Sequence, residues 1–402
     1  HPDIAARWLP KILEGTYDAS LRPIAEKSGV TLGMAMTEKQ VGSDLRANTT
    51  RATALDEAGA FRLVGHKWFC SAPMSDAFLT LAQTPAGLSC FLVPRIAPDG
   101  TRNGIHLMRL KDKLGNRSNA SAEIEYHDAY AQLIGDEGQG VPTIIDMVHH
   151  TRLDTMAGTL GIMRMALAQA VHHARHRSAF GRTLIDQPLM RGVLADLAVE
   201  YEAAACLTMR VARAFGEEGE AARAFARLAV ALGKYRLGRR AAAFVHECME
   251  CLGGAGYVEE SPLPRLYREA PLNSIWEGSS NVMALDVLRT LRREKRALPA
   301  FRSETALARG GNADLDRAAD ALASVLAGPD VAEAWARWIA ERLALVLQGA
   351  LLVRHAPHPI ADAFCASRLR GDAAPPDGAD CGTILARAVP EESPLSCVGL
   401  QA

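Results

Sequence analysis

The 402 residues carry 45 Lys and Arg against 46 Asp and Glu, and 49% of them are hydrophobic, so the chain is long enough for two to four domains around sizeable cores. A formal net charge of −1 excludes a molecule-wide attraction to nucleic acid or membrane, and any such role must come from a local patch. No run of about 18 apolar residues occurs, which excludes a membrane-spanning helix.

The chain opens with "HPDIAARWLP", without an initiator Met or a signal-peptide pattern, and reads as a fragment whose front is missing. The first roughly 30 residues predict short helical or irregular pieces. From about Gly33, "AFRLVGHKWFCSAP", "AFLTLAQT", "LSCFLVPR", "GIHLMRLKDKLG" and "SAEIEYHDAYAQLIG" are β-prone runs parted by Gly, Pro, Asn and Asp. That spacing predicts a compact antiparallel β-domain. After "GDEGQGV", Gly135 to Val141, apolar residues recur every three or four positions over roughly 141–176, 188–216, 220–252 and 279–296. Four such stretches with short connections predict an antiparallel helical bundle. From about Leu298 the texture loosens, with helical runs at about 313–327 and 331–355. "GDAAPPDGADCG" then reads as a mobile loop.

The eight cysteines, Cys70, Cys90, Cys206, Cys248, Cys251, Cys365, Cys381 and Cys397, are scattered without a framework. They read as free thiols in a reducing, cytoplasmic setting. Cys248 and Cys251 form a lone CxxC on a helix-like run with no second pair, which reads as two half-buried thiols, and no metal site is expected.

Five stretches carry candidate chemistry. "MTEKQVGSDL", Met36 to Leu45, has hydroxyls and backbone N–H groups suited to a flat heterocycle or a phosphate, and is otherwise an ordinary polar loop. In "GHKWFCS", alternation sends Trp68 and Phe69 to opposite faces, either both into cores or one onto a ring-shaped ligand. "RHRSAFGRTLIDQP", Arg175 to Pro188, is a basic helix end, or an anion clamp with Arg177 as donor and Phe180 as stacking surface. "MECLGGAGYVEE" is not a dinucleotide GxGxxG, since no strand precedes it, and its glycines either admit a ligand or cap a helix. "NSIWEGSSN", Asn273 to Asn281, sets Glu277 between an indole and a glycine, which a surface glutamate does not need.

In order, MTE…GSD, K-W-F-x-S, K-x-G-x-R-S, R-x-x-F-G, LGG-x-GY and aromatic-E-G-S resemble the acyl-CoA dehydrogenase family of flavoproteins from about Gly33 to Arg293. The wordings "MTEKQ", "LVGHKWF", "KDKLGNRSNAS", "ESPLPRLYRE" and "NSIWEGS" resemble its AidB-like, alkylation-response branch. The resemblance implies an α+β fold: a middle antiparallel β-domain at 35–135, then a C-terminal four-helix bundle that binds FAD at 136–297. Residues 1–34 are then the remnant of a mostly missing N-terminal helical domain, and 298–402 an extra helical region with a loose tail. It implies FAD contacts from Met36, Thr37, Gly42, Ser43, Phe69 and Ser71, and from Trp276, Ser279 and Asn281. Arg177, Phe180, Gln187, Gly253 and Gly254 match residues that reach FAD at a subunit interface of a homotetramer, a dimer of dimers. Phe69 stands where a tryptophan is usual, and Glu250 where a glutamine is common.

Glu277 matches the family's usual base, which takes a proton alpha to a thioester while flavin accepts a hydride from the beta carbon. Trp276 beside it removes water, which improves a carboxylate as a base, and Gly278 allows a tight turn. Some relatives place the base just before the arginine equivalent to Arg152, where this chain has Thr151, which cannot serve. The bland alternative is a structural acid paired with Arg152 or Arg268. The branch also implies sequence-independent binding to duplex DNA through the basic run "LRTLRREKRAL", with Arg289, Arg292 and Arg293, extended by Arg368 and Arg370. The resemblance thus implies an AidB-like flavoprotein of the DNA-alkylation response with at most weak acyl-CoA dehydrogenase activity. The alternative is a metabolic dehydrogenase of a short or branched acyl-CoA. A nitroalkane oxidase fits less well, because it would have an aspartate at Glu277.

Overall fold

Strand-forming texture before Gly135 and helix-forming texture after it sort into two units, His1–Val148 and His149–Ala402, in a computed structural model that describes residues 1–327, 332–370 and 381–388. The first unit begins with helix α1 (Pro2–Leu13), whose Trp8 packs with Val30, Ala77 and Leu92. Seven strands follow: β1 (Leu32–Ala35), β2 (Arg51–Ala54), β3 (Ala60–Ser71), β4 (Ala77–Thr84), β5 (Gly87–Pro94), β6 (Ile105–Leu110) and β7 (Ser121–Ile134). The pairings run β4–β2–β3–β7–β5 and return to β4, so five strands close on themselves and protect their edges. β1 extends the sheet beside β4, and β6 beside β7.

The sheet is not wholly antiparallel. β1 runs parallel to β4, and β2 meets β4 in one parallel pair, Arg51 with Gln83. Phe61, Leu63, Phe78, Phe91, Val93, Ile124 and Tyr126 fill its interior. Alternation holds at Phe61, Arg62, Leu63 and Val64, buried and exposed in turn. It then fails, because the register slips between Leu63 and Gly65 and again between Lys67 and Cys70. Trp68 and Phe69 lie inside the second slip, and Lys111 Nζ lies over both rings, at 3.1 and 4.8 Å. Neither aromatic is a core residue: Trp68 is half-buried and Phe69 is 45% exposed.

Helix α2 (Gly140–His176) leads into the second unit. A two-strand hairpin, β8 (Ser178–Ala179) and β9 (Arg182–Thr183), precedes α3 (Pro188–Gly216) and α4 (Glu220–Leu252). Then come α5 (Gly254–Tyr257), α6 (Leu263–Glu269), a 3₁₀ turn at Ala270–Ser274 and α7 (Ser280–Arg293). The chain continues through α8 (Ala297–Ala306), α9 (Ala313–Leu326), α10 (Ala336–His355), α11 (His358–Phe364), a π turn at Cys365–Leu369 and α12 (Cys381–Ala388). α4 is the central helix, buried without interruption from Leu228 to Gly238. Such all-round burial explains why its sequence carries no polar face.

The region after Leu298 is tighter than its sequence texture predicts. α10 is buried from Leu343 to Leu352, including Gln348, and packs against α3, α4, α7 and α8 in the same core. Buried charges pin it: Arg236 of α4 reaches Glu200 of α3 at 2.7 Å and Glu341 of α10 at 2.8 Å. Arg368 adds bonds to Glu200 at 3.2 Å and Asp196 at 2.6 Å. Most of the expected loop "GDAAPPDGADCG", residues 371–380, lies outside the described residues. Cys70, Cys90, Cys206, Cys248, Cys251 and Cys365 are free, and Cys248 and Cys251 are both buried in α4, where loss of water pushes their thiols up. Among the described residues no three His, Cys, Asp or Glu side chains gather to hold a metal, and no helix is long and apolar enough to cross a membrane.

Candidate active site

The site is built on one face of α4. Gly238 has no side chain, and a Cβ there would lie 2.6 Å from the Asn273 carbonyl, so the Ala270–Ser274 turn settles directly on the helix. Lys234 sits one turn earlier on the same face, the i,i+4 neighbour of Gly238. Its side chain is 1% exposed, and its ammonium donates to the Gly278 carbonyl. Arg152 of α2, also buried, donates from Nε to the adjacent Glu277 carbonyl at 3.3 Å. Two buried cations therefore grip successive backbone carbonyls of one turn.

That turn is left-handed, with φ +55° at Glu277 and +97° at Gly278. Glycine accepts such a φ freely, whereas at a glutamate it costs about 1–3 kcal/mol and persists only where the surroundings fix it. Its effect is on the carboxylate. Thr151 donates its hydroxyl to Glu277 Oε2 at 2.6 Å, while Oε1 accepts no hydrogen bond from any described residue. The expected alternative partners are engaged elsewhere. Arg152 Nη1 binds Asp286 Oδ2 at 2.9 Å, with Arg227 on the same carboxylate, and Arg268 pairs with Glu259. Burial opposes the charge on Asp286, but the two guanidiniums win and hold its carboxyl below the usual range. Glu277 is thus not a salt-bridged structural acid. Trp276 is half-buried beside it, its indole N–H bonded to Asn273 Oδ1 at 3.1 Å.

The other expected contact residues divide between the units. In the first, Met36 and Thr37 follow β1, where Asn48 donates to the Met36 carbonyl and Trp68 N–H to the Thr37 carbonyl. Gly42 and Ser43 are exposed, and Ser71 is half-buried at the end of β3. What fixes this loop is Glu38, which sequence reasoning missed. It and Lys67 are fully buried, with Lys67 Nζ 2.8 Å from Glu38 Oε1. The Glu38 carboxylate also accepts from Gln40, from both hydroxyls and both N–H groups of Thr49 and Thr50. Burial opposes its charge, but Lys67 and these donors bring the carboxyl down to about 2.

In the second unit, Phe180 and Gly181 form the tip of the β8–β9 hairpin, both with positive φ. Phe180 is 96% exposed, and Arg177 is exposed at the helix end. Gln187 turns inward instead and donates to the Ala179 carbonyl at 2.9 Å, bracing the hairpin. Gly253 and Gly254 are exposed, Gly253 with φ +59°, and a Cβ on either would meet nothing within 4 Å. Ser279 is the N-cap of α7, and its side chain makes no capping bond. Asn281 is not open: Arg337 of α10 donates to its side-chain oxygen at 2.7 Å. Open glycines at 253 and 254, the N-terminus of α7 without a side-chain cap, and an exposed Phe180 three positions after an exposed Arg177 are each features of the kind that an aromatic dinucleotide with a pyrophosphate uses.

The basic run is partly neutralised. Arg289, Arg292 and Arg293 are exposed on α7, but Arg289 lies 3.6 Å from Asp286 and Arg296 pairs with Glu220. Arg368 does not extend the patch, because Asp196 and Glu200 hold it in the core.

With this geometry in view, the chain matches two family descriptions, "Acyl-CoA dehydrogenase, middle domain" over residues 33–129 and "Acyl-CoA dehydrogenase, C-terminal domain" over 138–292. It is 48% identical to Escherichia coli AidB over 359 residues, 89% of this chain and 66% of that protein. The solved Caenorhabditis elegans ACDH-11 in complex with C11-CoA superposes with a TM-score of 0.76 at 32% identity, covering 92% of this chain and 65% of that one. The apo-form of Bd2924 gives 0.76 at 31% identity, covering 91% and 71%. The chain belongs to the acyl-CoA dehydrogenase family, whose members are FAD-dependent flavoproteins. It spans about two thirds or less of the length of the curated relatives it matches, 66% of AidB and 58% of the nematode acyl-CoA dehydrogenase family member 11.

Proposed function

We propose that the chain is the FAD-binding part of an AidB-like acyl-CoA dehydrogenase-type oxidoreductase, with Glu277 as the base. The observation that carries this reading is the carboxylate with Oε2 held by Thr151 and Oε1 open, on a turn gripped from behind by Lys234 and Arg152. Glu277 takes the proton alpha to the thioester carbonyl while the C–H electron pair stays on carbon. Loss of the β hydrogen with its electron pair completes the C=C bond. FAD, when bound, supplies the acceptor for that hydride. Met36, Thr37, Gly42, Ser43, Phe69 and Ser71 are the residues of the first unit that would hold it. In the second unit they are Arg177, Phe180, Gly253, Gly254, Trp276 and Ser279, while the side-chain oxygen of Asn281 is held by Arg337. Gln187 would act through the hairpin it braces, and Arg152 through the turn. A homotetramer, a dimer of dimers, is the assembly this reading expects, and the exposed Phe180 is the residue most in need of a partner surface.

An acyl-CoA is supported as substrate class by the likeness to ACDH-11, solved with C11-CoA. The test is anaerobic mixing of the FAD-loaded chain with a panel of acyl-CoAs. Bleaching of the flavin by at least one thioester is the expected result, and no bleaching by any of them would refute the reading.

A second reading is non-specific duplex-DNA binding in an alkylation response, with dehydrogenase chemistry weak. It is favoured by the exposed arginines 289, 292 and 293 in the last turns of α7. Replacing all three by Ala should weaken DNA retention at low salt and flatten its salt dependence by about 0.9 for each phosphate left without its arginine. Unchanged retention would discard it.

A further inference from the structure

The run "LAVALGKYRLG" carries the Lys234 ammonium to the centre of the helical core, two positions before the buried Arg236, and the proposed proton transfer assigns Lys234 no chemical step of its own. We propose that Lys234 is a positioning residue for the base: by donating to the Gly278 carbonyl it holds the left-handed turn that presents the Glu277 carboxylate. The inference rests on the reading of Glu277 as base.

Three observations carry it. First, a buried lysine needs a partner, and the only described acceptor for Lys234 is that backbone carbonyl, not a carboxylate. Its position is therefore tied to the backbone of the turn and not to another side chain. Second, the turn is strained at Glu277, φ +55°, and rotation of the Glu277–Gly278 segment toward an ordinary φ would swing the carbonyls away from their cations. Lys234 and Arg152 together hold the strained state, one on each carbonyl. Third, Gly238 lets the preceding turn lie on α4, so one helix face fixes both the approach of the segment and its end.

The charged groups around Lys234 are few. Arg152 comes from α2 and Glu277 from the turn. Asp286 of α7 and Arg227 of α4 are bound to each other and to Arg152. From α3 and α10, Glu200 and Glu341 are taken by Arg236, and Glu304 of α8 by Arg210 and Arg354. Burial and the like charge of Arg152 outweigh the attraction of Glu277 and bring the ammonium down to about 8. Below that pH the carbonyl faces a cation; above it, only a neutral amine, and the grip on the turn loosens.

The test uses the full FAD-loaded chain with K234M and K234R, each checked for thermal stability and flavin content. The first readout is the pH profile of flavin bleaching by an acyl-CoA. Wild type should slow above about pH 8, and K234R, whose guanidinium stays charged, should not. K234M should be slower throughout by about a hundredfold, the scale of a 1 Å misplacement, with acyl-CoA affinity kept. A K234M profile that superposes on wild type overturns the proposal. The second readout needs no turnover: the ¹³C-carboxyl resonance of Glu277 in [5-¹³C]glutamate-labelled protein, identified by its loss in E277Q. It should move in wild type as pH crosses 8 and stay fixed in K234R; identical behaviour in the two overturns the proposal even where K234M does not fold. If no thioester bleaches wild type, the dehydrogenase reading fails, and the resonance alone decides the role of Lys234.

Discussion

Two buried acid–cation arrangements in this molecule use the same parts to opposite ends. In the first unit, Lys67 meets the side chain of Glu38, and every remaining lone pair of that carboxylate is drawn toward Thr49, Thr50 and Gln40. In the second, Lys234 and Arg152 meet the backbone of Glu277 and its neighbour, and leave one carboxylate oxygen open. The first acid is saturated and fastens a loop. The second is fixed through its main chain, and its side chain remains available to react. What separates a structural acid from a candidate base here is which atoms the cations touch, not the number of cations nearby.

The sharpest way to break this comparison is to neutralise each acid in turn. Glu277→Gln should lower the bleaching rate by about 10²–10⁴-fold, the usual worth of a positioned base, and change stability by less than about 0.5 kcal/mol. Glu38→Gln should do the reverse, destabilising by about 3–5 kcal/mol in urea unfolding, because Lys67 is left buried without a counter-charge. If both variants lose stability equally, the distinction fails. Gly278→Ala comes next. Its Cβ would lie 2.5 Å from Met283 Cε at a φ of +97°, so a loss of about 1–3 kcal/mol is expected together with slower bleaching.

Acid pH probes the first unit. The Glu38 carboxyl falls from its ordinary 4.5 to about 2 in the fold, so the unfolded chain binds its proton first on acidification. Its contribution is complete above pH 4.5 and is lost as pH falls toward 2. Acid unfolding of the wild type should steepen across that window, and Glu38→Gln should flatten it. Thr151→Val is the gentlest change, with a stability loss below about 1.5 kcal/mol and a modest drop in bleaching rate as Oε2 loses the Thr151 hydroxyl, its one hydrogen-bond donor among the described residues. A rate equal to wild type would show that the anchor has no part in orienting the base.

Much of the fold was legible because its signals are local. The switch from alternating to helical periodicity near Gly135, and the glycines that end helices, act within a few residues. The motif order led from there to the family. What was not legible depends on long-range contacts or on broken local rules. Nothing near Glu277 announces Lys234, 44 positions before the Gly278 it holds; its one sequence signal was a charge, with Arg236 close by, in a largely apolar run. Thr151, 126 positions before Glu277, was legible as the residue ahead of Arg152 but not as a donor to the carboxylate. Arg368 looked like surface charge because its partner Glu200 lies 168 positions away. Trp68 and Phe69 escaped alternation because a register slip follows Lys67. The region after Leu298 looked loose because the core that buries α10 is supplied by α3, α4, α7 and α8.

The measurement that bears most directly on the central claim is anaerobic single-turnover mixing of the FAD-loaded protein and its E277Q variant with a series of acyl-CoAs, following the flavin's visible absorbance. The account predicts bleaching of the wild type by at least one thioester, and an undiminished spectrum with the same thioester bound to E277Q. Equal bleaching rates in the two proteins would contradict it.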